Sequence, residues 1–271
     1  MSTEQKIGFI GGGNMSSAII GGLLKSGMSP AQFTVVEPFE VARDKLQADF
    51  GIAAQATANQ ALAICDVIVW AVKPQSFKEA AVPAAPFTKS ALHLSVAAGV
   101  MSSSIAKWLG TDLIVRAMPN TPALIGQGVT GLYARQALSQ QACERVTQII
   151  SVTGQHLWLD DESKLDAVTA ISGSGPAYVF YFLEAMIEAA RGMGLSHAEA
   201  RTLATTTFAG STALAVASSE PLGVLRERVT SKGGTTYAAL LHMEGANIKP
   251  EFIVAMQAAQ KRAAELGAQF G

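Results

Sequence analysis

The strongest constraint on the fold lies near the start of the chain, where the apolar run Ile7 to Ile10 meets Gly11, Gly12 and Gly13 and then the helical pattern Met15 to Leu24. A strand that ends in glycines and turns at once into a helix commits the chain to a β-turn-α unit. Gly11-x-Gly13-x-x-Ser16 has the spacing of the dinucleotide fingerprint. Gly11 would make the tight turn, Gly13 would let a pyrophosphate approach the backbone, and the helix N-terminus would offer free N–H groups and a positive dipole end. Ser16 stands where Gly or Ala is usual, which weakens the motif, and a glycine turn without a ligand is the competing reading. The stretch Ile7 to Leu24 carries no charge and has about the length of a membrane span. Gly8, Gly11, Gly12, Gly13, Asn14, Ser16 and Ser17 make it a poor one, and the opening MSTEQK lacks the basic start of an export signal.

Further apolar runs rich in β-branched residues follow at Phe33–Val36, Val67–Val72, Leu92–Val96, Leu113–Ala117 and Val129–Tyr133, all read as strands buried on both faces. Helical patterns such as Phe39–Phe50 and Ser103–Leu109 lie between them. Alternation of this kind implies a parallel, doubly wound sheet. Ser139 reads as the N-cap of a helix to about Ile150, and Gln155–Leu159 as a last strand. From Asp161 onward only helical patterns remain, so two domains are expected, 1–161 and 162–271. At 271 residues the chain has room for both. The helical strings around Phe180 and Val216 are apolar on more than one face, more than a small domain can bury alone, and predict a subunit interface.

Hydrophobic residues make up 49% of the chain against 15% charged, consistent with a large core and an oligomer, and a net charge of −1 without basic runs argues against nucleic acid. The two cysteines, Cys65 and Cys143, are too few for a disulfide framework and fit a reducing cytoplasm. The four histidines are scattered without Cys or His partners at ligand spacing, so no metal is expected.

Chemistry is concentrated at five places. Glu37 follows the second strand where an acid commonly meets the adenosine ribose, which favours NADH, while Arg43, one or two helical turns further on, could swing toward a 2′-phosphate; a solvated Glu at a strand end is an equal alternative, so the choice of cofactor, NADH or NADPH, stays open. Lys73 and Pro74, after the strand that ends in Ala71 and Val72, sit on the rim where α/β sheets bind ligands, although a plain strand exit would look the same. In RAMPNTPALIGQG, Pro119 and Pro122 flank Asn120 and Thr121 directly after a strand, which suits a pocket floor near a nicotinamide ring. AISGSGPAYVF places Ser172, Gly173, Ser174, Gly175 and Pro176 inside a helical run; the break can be a simple helix start at Pro176 or a set of exposed N–H groups and hydroxyls. VTSKGGTTYAAL repeats the device, with Ser231, Gly233, Gly234, Thr235 and Thr236 forming a nest for a carboxylate or a phosphate. Ser196 and Glu199 read as a capping box rather than as catalytic groups.

GFIGGGNM, WAVKPQ, RAMPNTPALIGQG, AISGSGPAYVF and VTSKGGTT, in this order and spacing, resemble the pyrroline-5-carboxylate reductases, and the match runs from Ile7 to the C-terminal helices. The resemblance implies an α/β fold: an N-terminal Rossmann-type doubly wound sheet followed by an all-α dimerisation domain that intertwines with its partner, with dimers assembling further into decamers. It implies hydride transfer from NADPH or NADH to the C=N carbon of 1-pyrroline-5-carboxylate, giving L-proline in the last step of proline biosynthesis. Gly11, Gly13, Asn14, Met15, Glu37, Ala71, Val72, Lys73, Pro74, Pro119 and Asn120 are the implied cofactor set. Ser172, Ser174, Gly175, Ser231, Gly233, Gly234, Thr235 and Thr236 are the implied substrate set. In it Thr236 matches the hydroxyl that bonds the ring nitrogen, and the Ser231–Thr235 backbone matches the carboxylate cradle. Ser16 departs from the family pattern, as does Lys232, where Pro is common. An imine that enters protonated needs no strong acid, so positioning should dominate the chemistry.

Two other readings share parts of this plan. A β-hydroxyacid-type or imine-reducing dehydrogenase of related architecture is one; the first would carry a Lys about one turn after the glycine-rich helix start, and GPAYVFYFLEA has none. A non-catalytic nucleotide sensor is the other, and the intact hydroxyls and glycines of the second nest argue against it.

Overall fold

The computed structural model describes residues 5–270. Strand β1 (Ile7–Ile10) feeds helix α1 (Asn14–Lys25), and β2 (Phe33–Val36) feeds α2 (Glu40–Phe50). Next come β3 (Val67–Trp70), α3 (Phe77–Ala84), β4 (Leu92–Ser95), α4 (Ser102–Leu109), β5 (Ile114–Met118), β6 (Gly128–Ala134), α5 (Gln140–Ser151) and β7 (Gly154–Leu159). The helical remainder is α6 (Lys164–Val168), α7 (Gly175–Gly192), α8 (His197–Ala217), α9 (Leu222–Arg228), α10 (Thr235–Gly245) and α11 (Ile248–Phe270), with a π-helical turn, Thr169–Gly173, between α6 and α7.

The seven strands form one sheet in the order β2-β1-β3-β4-β5-β6-β7. Alternate residues of the central strands supply two cores, as the period of two demands. Phe9, Val35, Val67, Val69 and Leu94 face one side, against Ile19, Ile20 and Leu23 of α1 and Ile149 of α5. Ile10, Val36, Ile68 and Trp70 face the other, against Phe77 of α3 and Ile105 of α4, with Trp70 stacked on Phe77 at 5.1 Å. Helices on both faces make the sheet doubly wound, and the uncharged run Ile7 to Leu24 is a mid-sheet strand and a helix that buries Ser16, Ile19, Ile20 and Leu23 against it. Among the described residues no helix is long and apolar enough to cross a membrane.

One expectation is corrected. The sheet is not wholly parallel: β6 runs antiparallel to β5, and β7 parallel to β6. Only Pro119–Gln127 separates β5 from β6, and a parallel return needs a crossover of a dozen residues or more. Asn120 accepts the Val129 N–H at 2.9 Å, which fixes the reversal.

By contacts the described chain divides into two compact units. One holds the residues up to Ser174 together with those from Ala259 onward; the other is Gly175–Ala258. In the second, α7, α9 and α10 bury no residue and α8 buries only Ala200 and Ala204. Phe180 is 59% exposed and Val216 83%. Tyr178 and Phe182 of α7 pack edge-on against Phe252 of α11, and the Ser196–Glu199 capping box starts α8 as its spacing predicts.

Candidate functional site

Strand order places the ligand crevice. From β1 the chain moves to β2 on one side and to β3 on the other, so the carboxyl ends of β1 and β3 flank a topological switch point. The Gly11–Asn14 turn sits at the first and Ala71–Pro74 at the second. Gly11 has φ 96°, and a Cβ there would stand 2.6 Å from the Ala71 carbonyl oxygen, so only glycine lets the two rim loops meet. Gly13 differs: apart from its two chain neighbours, nothing lies within 4 Å of its missing Cβ. Space of this kind beside an exposed backbone is what a pyrophosphate requires. Gly13 is also the N-cap of α1, with no side-chain cap and no acid in the first turn, so the orphan N–H groups stay available to an anion.

Ser16 fits this turn. It is fully buried and donates its hydroxyl to the Gly11 carbonyl at 2.5 Å, so the departure from Gly or Ala adds a tie across the loop. Glu37 is 6% exposed, and its two carboxylate oxygens accept the N–H groups of Gly12 (2.7 Å) and Phe39 (2.9 Å). The acid thus braces the glycine turn. Arg43 is held near it, donating to the Glu37 and Pro38 carbonyls at 3.0 and 2.7 Å. Asn14 and Lys73 are exposed, Met15, Ala71, Val72 and Pro74 half-buried, and Pro119 and Asn120 occupy the end of β5 on the same rim.

The Gly-Ser-Gly-Pro stretch is not a loop. Helix α6 runs on through the π-helical turn, closed by the Ser174 N–H on the Thr169 carbonyl at 2.8 Å, and α7 starts at Gly175. Ser172 donates its hydroxyl to the Val168 carbonyl (2.9 Å) and Thr169 to that of Leu165 (2.8 Å). Single π turns inside helices recur at functional positions because they re-aim side chains and loosen the backbone ladder.

The second nest lies in the helical unit. Gly233 has φ 73°, Gly234 is the N-cap of α10, and the Gly234 N–H returns to the Ser231 carbonyl at 3.0 Å. The helix has no side-chain cap and no acid in its first turn. Its leading N–H groups, with the half-buried Thr236, are therefore presented as an anion cradle beside a hydroxyl. Ser231, Lys232 and Thr235 are exposed.

A charged cluster escaped the sequence reading. Arg116, in the middle of β5, pairs with Glu162 at 2.8 Å. Glu162 Oε1 also accepts the Ser102 N–H (2.7 Å) and its Oε2 the Ser102 hydroxyl (2.7 Å), and Arg135 joins Ser102 (3.3 Å) to Asp112 (2.6 Å). Burial works to raise the Glu162 carboxyl, yet the Ser102 and Arg116 hydrogen bonds hold it below the ordinary range. Burial pushes Asp166, close by, upward. One sequence clue existed: a lone arginine in an apolar strand must find a partner. His93 of β4, fully buried, accepts the Trp70 indole N–H at 3.0 Å, and burial lowers its pKa to about 4.

A doubly wound sheet with a glycine turn at its switch point, followed by helices, is the architecture of a dinucleotide-binding protein. The family described as pyrroline-5-carboxylate reductase dimerisation matches residues 162–266, and that described as NADP oxidoreductase, coenzyme F420-dependent, matches 6–99. The pyrroline-5-carboxylate reductase of Pseudomonas aeruginosa is 42% identical, over all of both chains. Among solved structures, that of a pyrroline-5-carboxylate reductase from Coxiella burnetii superposes with a TM-score of 0.90 at 36% identity, covering 97% of this chain and 98% of the other. The Plasmodium falciparum pyrroline carboxylate reductase with NADP bound gives 0.86 at 29%, covering 98% and 99%. The chain belongs to the pyrroline-5-carboxylate reductase family.

Proposed function

We propose that the protein reduces the C=N bond of 1-pyrroline-5-carboxylate to give L-proline, with NADPH or NADH as reductant. The single observation that carries this is the 42% identity to a relative of that name over all of both chains. The residues present fit a dinucleotide, because the space at Gly13 and the uncapped start of α1 accept a pyrophosphate. Gly11, Gly13, Asn14 and Met15 would hold that group, Ala71, Val72, Lys73 and Pro74 the opposite rim, Glu37 the adenosine side, and Pro119 and Asn120 the nicotinamide side. When bound, the dinucleotide supplies the hydride.

The protein's own part is to bind and orient. The Ser231–Thr235 backbone, with the Gly234 N–H closing the turn on the Ser231 carbonyl, cradles the substrate carboxylate, and the Thr236 hydroxyl bonds the ring nitrogen. Ser172, Ser174 and Gly175 complete the substrate side. Hydride accepted at the imine carbon leaves the former iminium nitrogen as the secondary amine of proline, so no strong protein acid is required. Residues 1–161 form the dinucleotide domain and 162–271 the substrate and dimerisation domain; β7 ends at Leu159 and the matched dimerisation region begins at 162. The apolar exposed faces of α7 and α8 make a homodimer, and five such dimers a decamer. The setting is cytoplasmic, which suits two free cysteines.

The test is oxidation of NADPH and of NADH by purified protein with 1-pyrroline-5-carboxylate or with a panel of β-hydroxyacids. Turnover with the imine alone is expected, and the ratio of the two reductants gives the preference. Turnover with the hydroxyacids alone overturns the reading.

A further inference from the structure

We propose that the buried Arg116–Glu162 pair is a positioning device for the reaction, setting where the Ser172–Ser174 turn stands over the end of β5. The proposal rests on the substrate role given to that turn above. The pair's side chains are only 8% and 15% exposed. A buried ion pair contributes little net stability against an apolar replacement of the same volume, because desolvation offsets its Coulombic gain. What such a pair does impose is register, since a misplaced partner leaves a buried charge unpaired.

Glu162 gathers three donors from two elements at one point: Arg116 from β5, and both the N–H and the hydroxyl of Ser102 at the start of α4. Arg135, just past β6, bonds the same Ser102 hydroxyl. Glu162 lies two residues before α6.

Glu162 and Ser163 form the turn that enters α6, tied to it by the Leu165 N–H on the Glu162 carbonyl at 3.0 Å. The chain is then helical from Lys164 to Gly173, with the Ser174 N–H closing the π-helical turn, so a displacement of Glu162 is carried to Ser172 and Ser174. The far end of this lever meets the same strand. Arg116 and Met118 point to one face of β5, being two residues apart. Met118 Cε lies 2.6 Å from where a Cβ on Gly173 would stand. One strand face thus grips the segment at its start by charge and at its end by close steric fit. The pyrophosphate grip, by contrast, centres on the ends of β1 and β3, three and two strands from β5, and only Pro119 and Asn120 on the nicotinamide side adjoin β5 itself. Loosening the clamp therefore falls mainly on the substrate side.

The experiment uses full-length Glu162→Gln, with NADPH affinity measured by fluorescence titration and steady-state kinetics measured with 1-pyrroline-5-carboxylate. kcat/KM for the imine should fall about thirtyfold, within the range an ångström-scale misplacement produces, while the NADPH Kd changes less than twofold. Arg116→Lys, which keeps the charge and loses the planar fork, should retain more kcat/KM than Arg116→Met. A folded Glu162→Gln protein with lowered Tm and wild-type kcat/KM would make the pair merely structural and overturn the proposal. Equal losses in NADPH and imine binding, a general loosening, would overturn it too. Should Glu162→Gln fail to fold, Arg116→Lys is judged by the same two readouts. Wild-type protein inactive on the imine overturns the reaction and this proposal with it; active wild type beside an unchanged variant overturns the proposal alone.

Discussion

Every residue of β1, β3 and β4 is buried, whereas α7, α9 and α10 bury none. The sheet unit closes its core within one chain, on both faces. The helical unit carries Phe180, Tyr181, Val216 and Leu241 largely in the open. Apolar area of that extent is stable only when covered, and an intertwined second copy is the cover proposed. The two units therefore differ in what covers their apolar residues: intrachain packing in the first and, on this proposal, a second copy in the second. They differ in chemistry as well. Each presents an uncapped helix N-terminus behind a glycine turn, but in the sheet unit the turn faces open space for a pyrophosphate, and in the helical unit it adjoins Thr236.

Charging the helical faces should part the subunits. Phe180→Glu combined with Val216→Glu should cost the assembly several kcal/mol, since each buried side chain of this size contributes roughly 1.5 to 3 kcal/mol and a two-fold axis doubles the loss. Sedimentation should show monomers, with the sheet unit still cooperative in its melting; an unchanged oligomer would place the interface elsewhere. Gly11→Ala tests the sheet unit instead. Strain at positive φ and the approach to the Ala71 carbonyl should together cost about 3 kcal/mol, read as a rise of about a hundredfold in NADPH Kd with assembly untouched.

Acid should separate the units further. His93 stays neutral when folded, with a pKa of about 4, while the unfolded chain takes up a proton near the ordinary 6.5. Stability is thus full above pH 6.5 and declines as pH falls toward 4, by roughly 3 kcal/mol in all. Urea midpoints at pH 7.5 and 5 should differ in wild type and converge in His93→Gln, where no ring can charge. Ser16→Ala should have the smallest effect, about 1 kcal/mol for one lost hydrogen bond to the Gly11 carbonyl, measured by denaturation.

Much of this architecture is legible in the residues because apolar strands in a doubly wound sheet are hydrophobic on both faces and end at turns. Phe33–Val36 and the Ser139 cap stand where periodicity and capping chemistry put them. The direction of β6 was not legible from its own residues, since a buried strand has the same composition whichever way it runs; the short Pro119–Gln127 connection holds that information. The Gly-Ser-Gly-Pro stretch reads as a break by propensity, but the break is a single residue, Ser174: a π turn carries the helix to Gly173, with the Thr169 and Ser172 hydroxyls bonded to carbonyls four residues back, and α7 begins at Gly175. Glu37 reads as a ribose ligand by distance along the chain, and only three-dimensional packing reveals its bonds to Gly12 and Phe39. Arg116 and Glu162 are 46 residues apart, and nothing local in the chain announces their pairing.

The central claim is that the sheet unit binds the dinucleotide and the nest before α10 orients the imine. Thr236→Ala examines both halves of it in one protein. Its NADPH Kd should equal that of wild type while turnover of 1-pyrroline-5-carboxylate falls by tens to about a thousandfold, the loss of a positioning hydrogen bond of roughly 2 to 4 kcal/mol. Wild-type turnover in that variant, or a parallel loss of NADPH binding, would contradict the account.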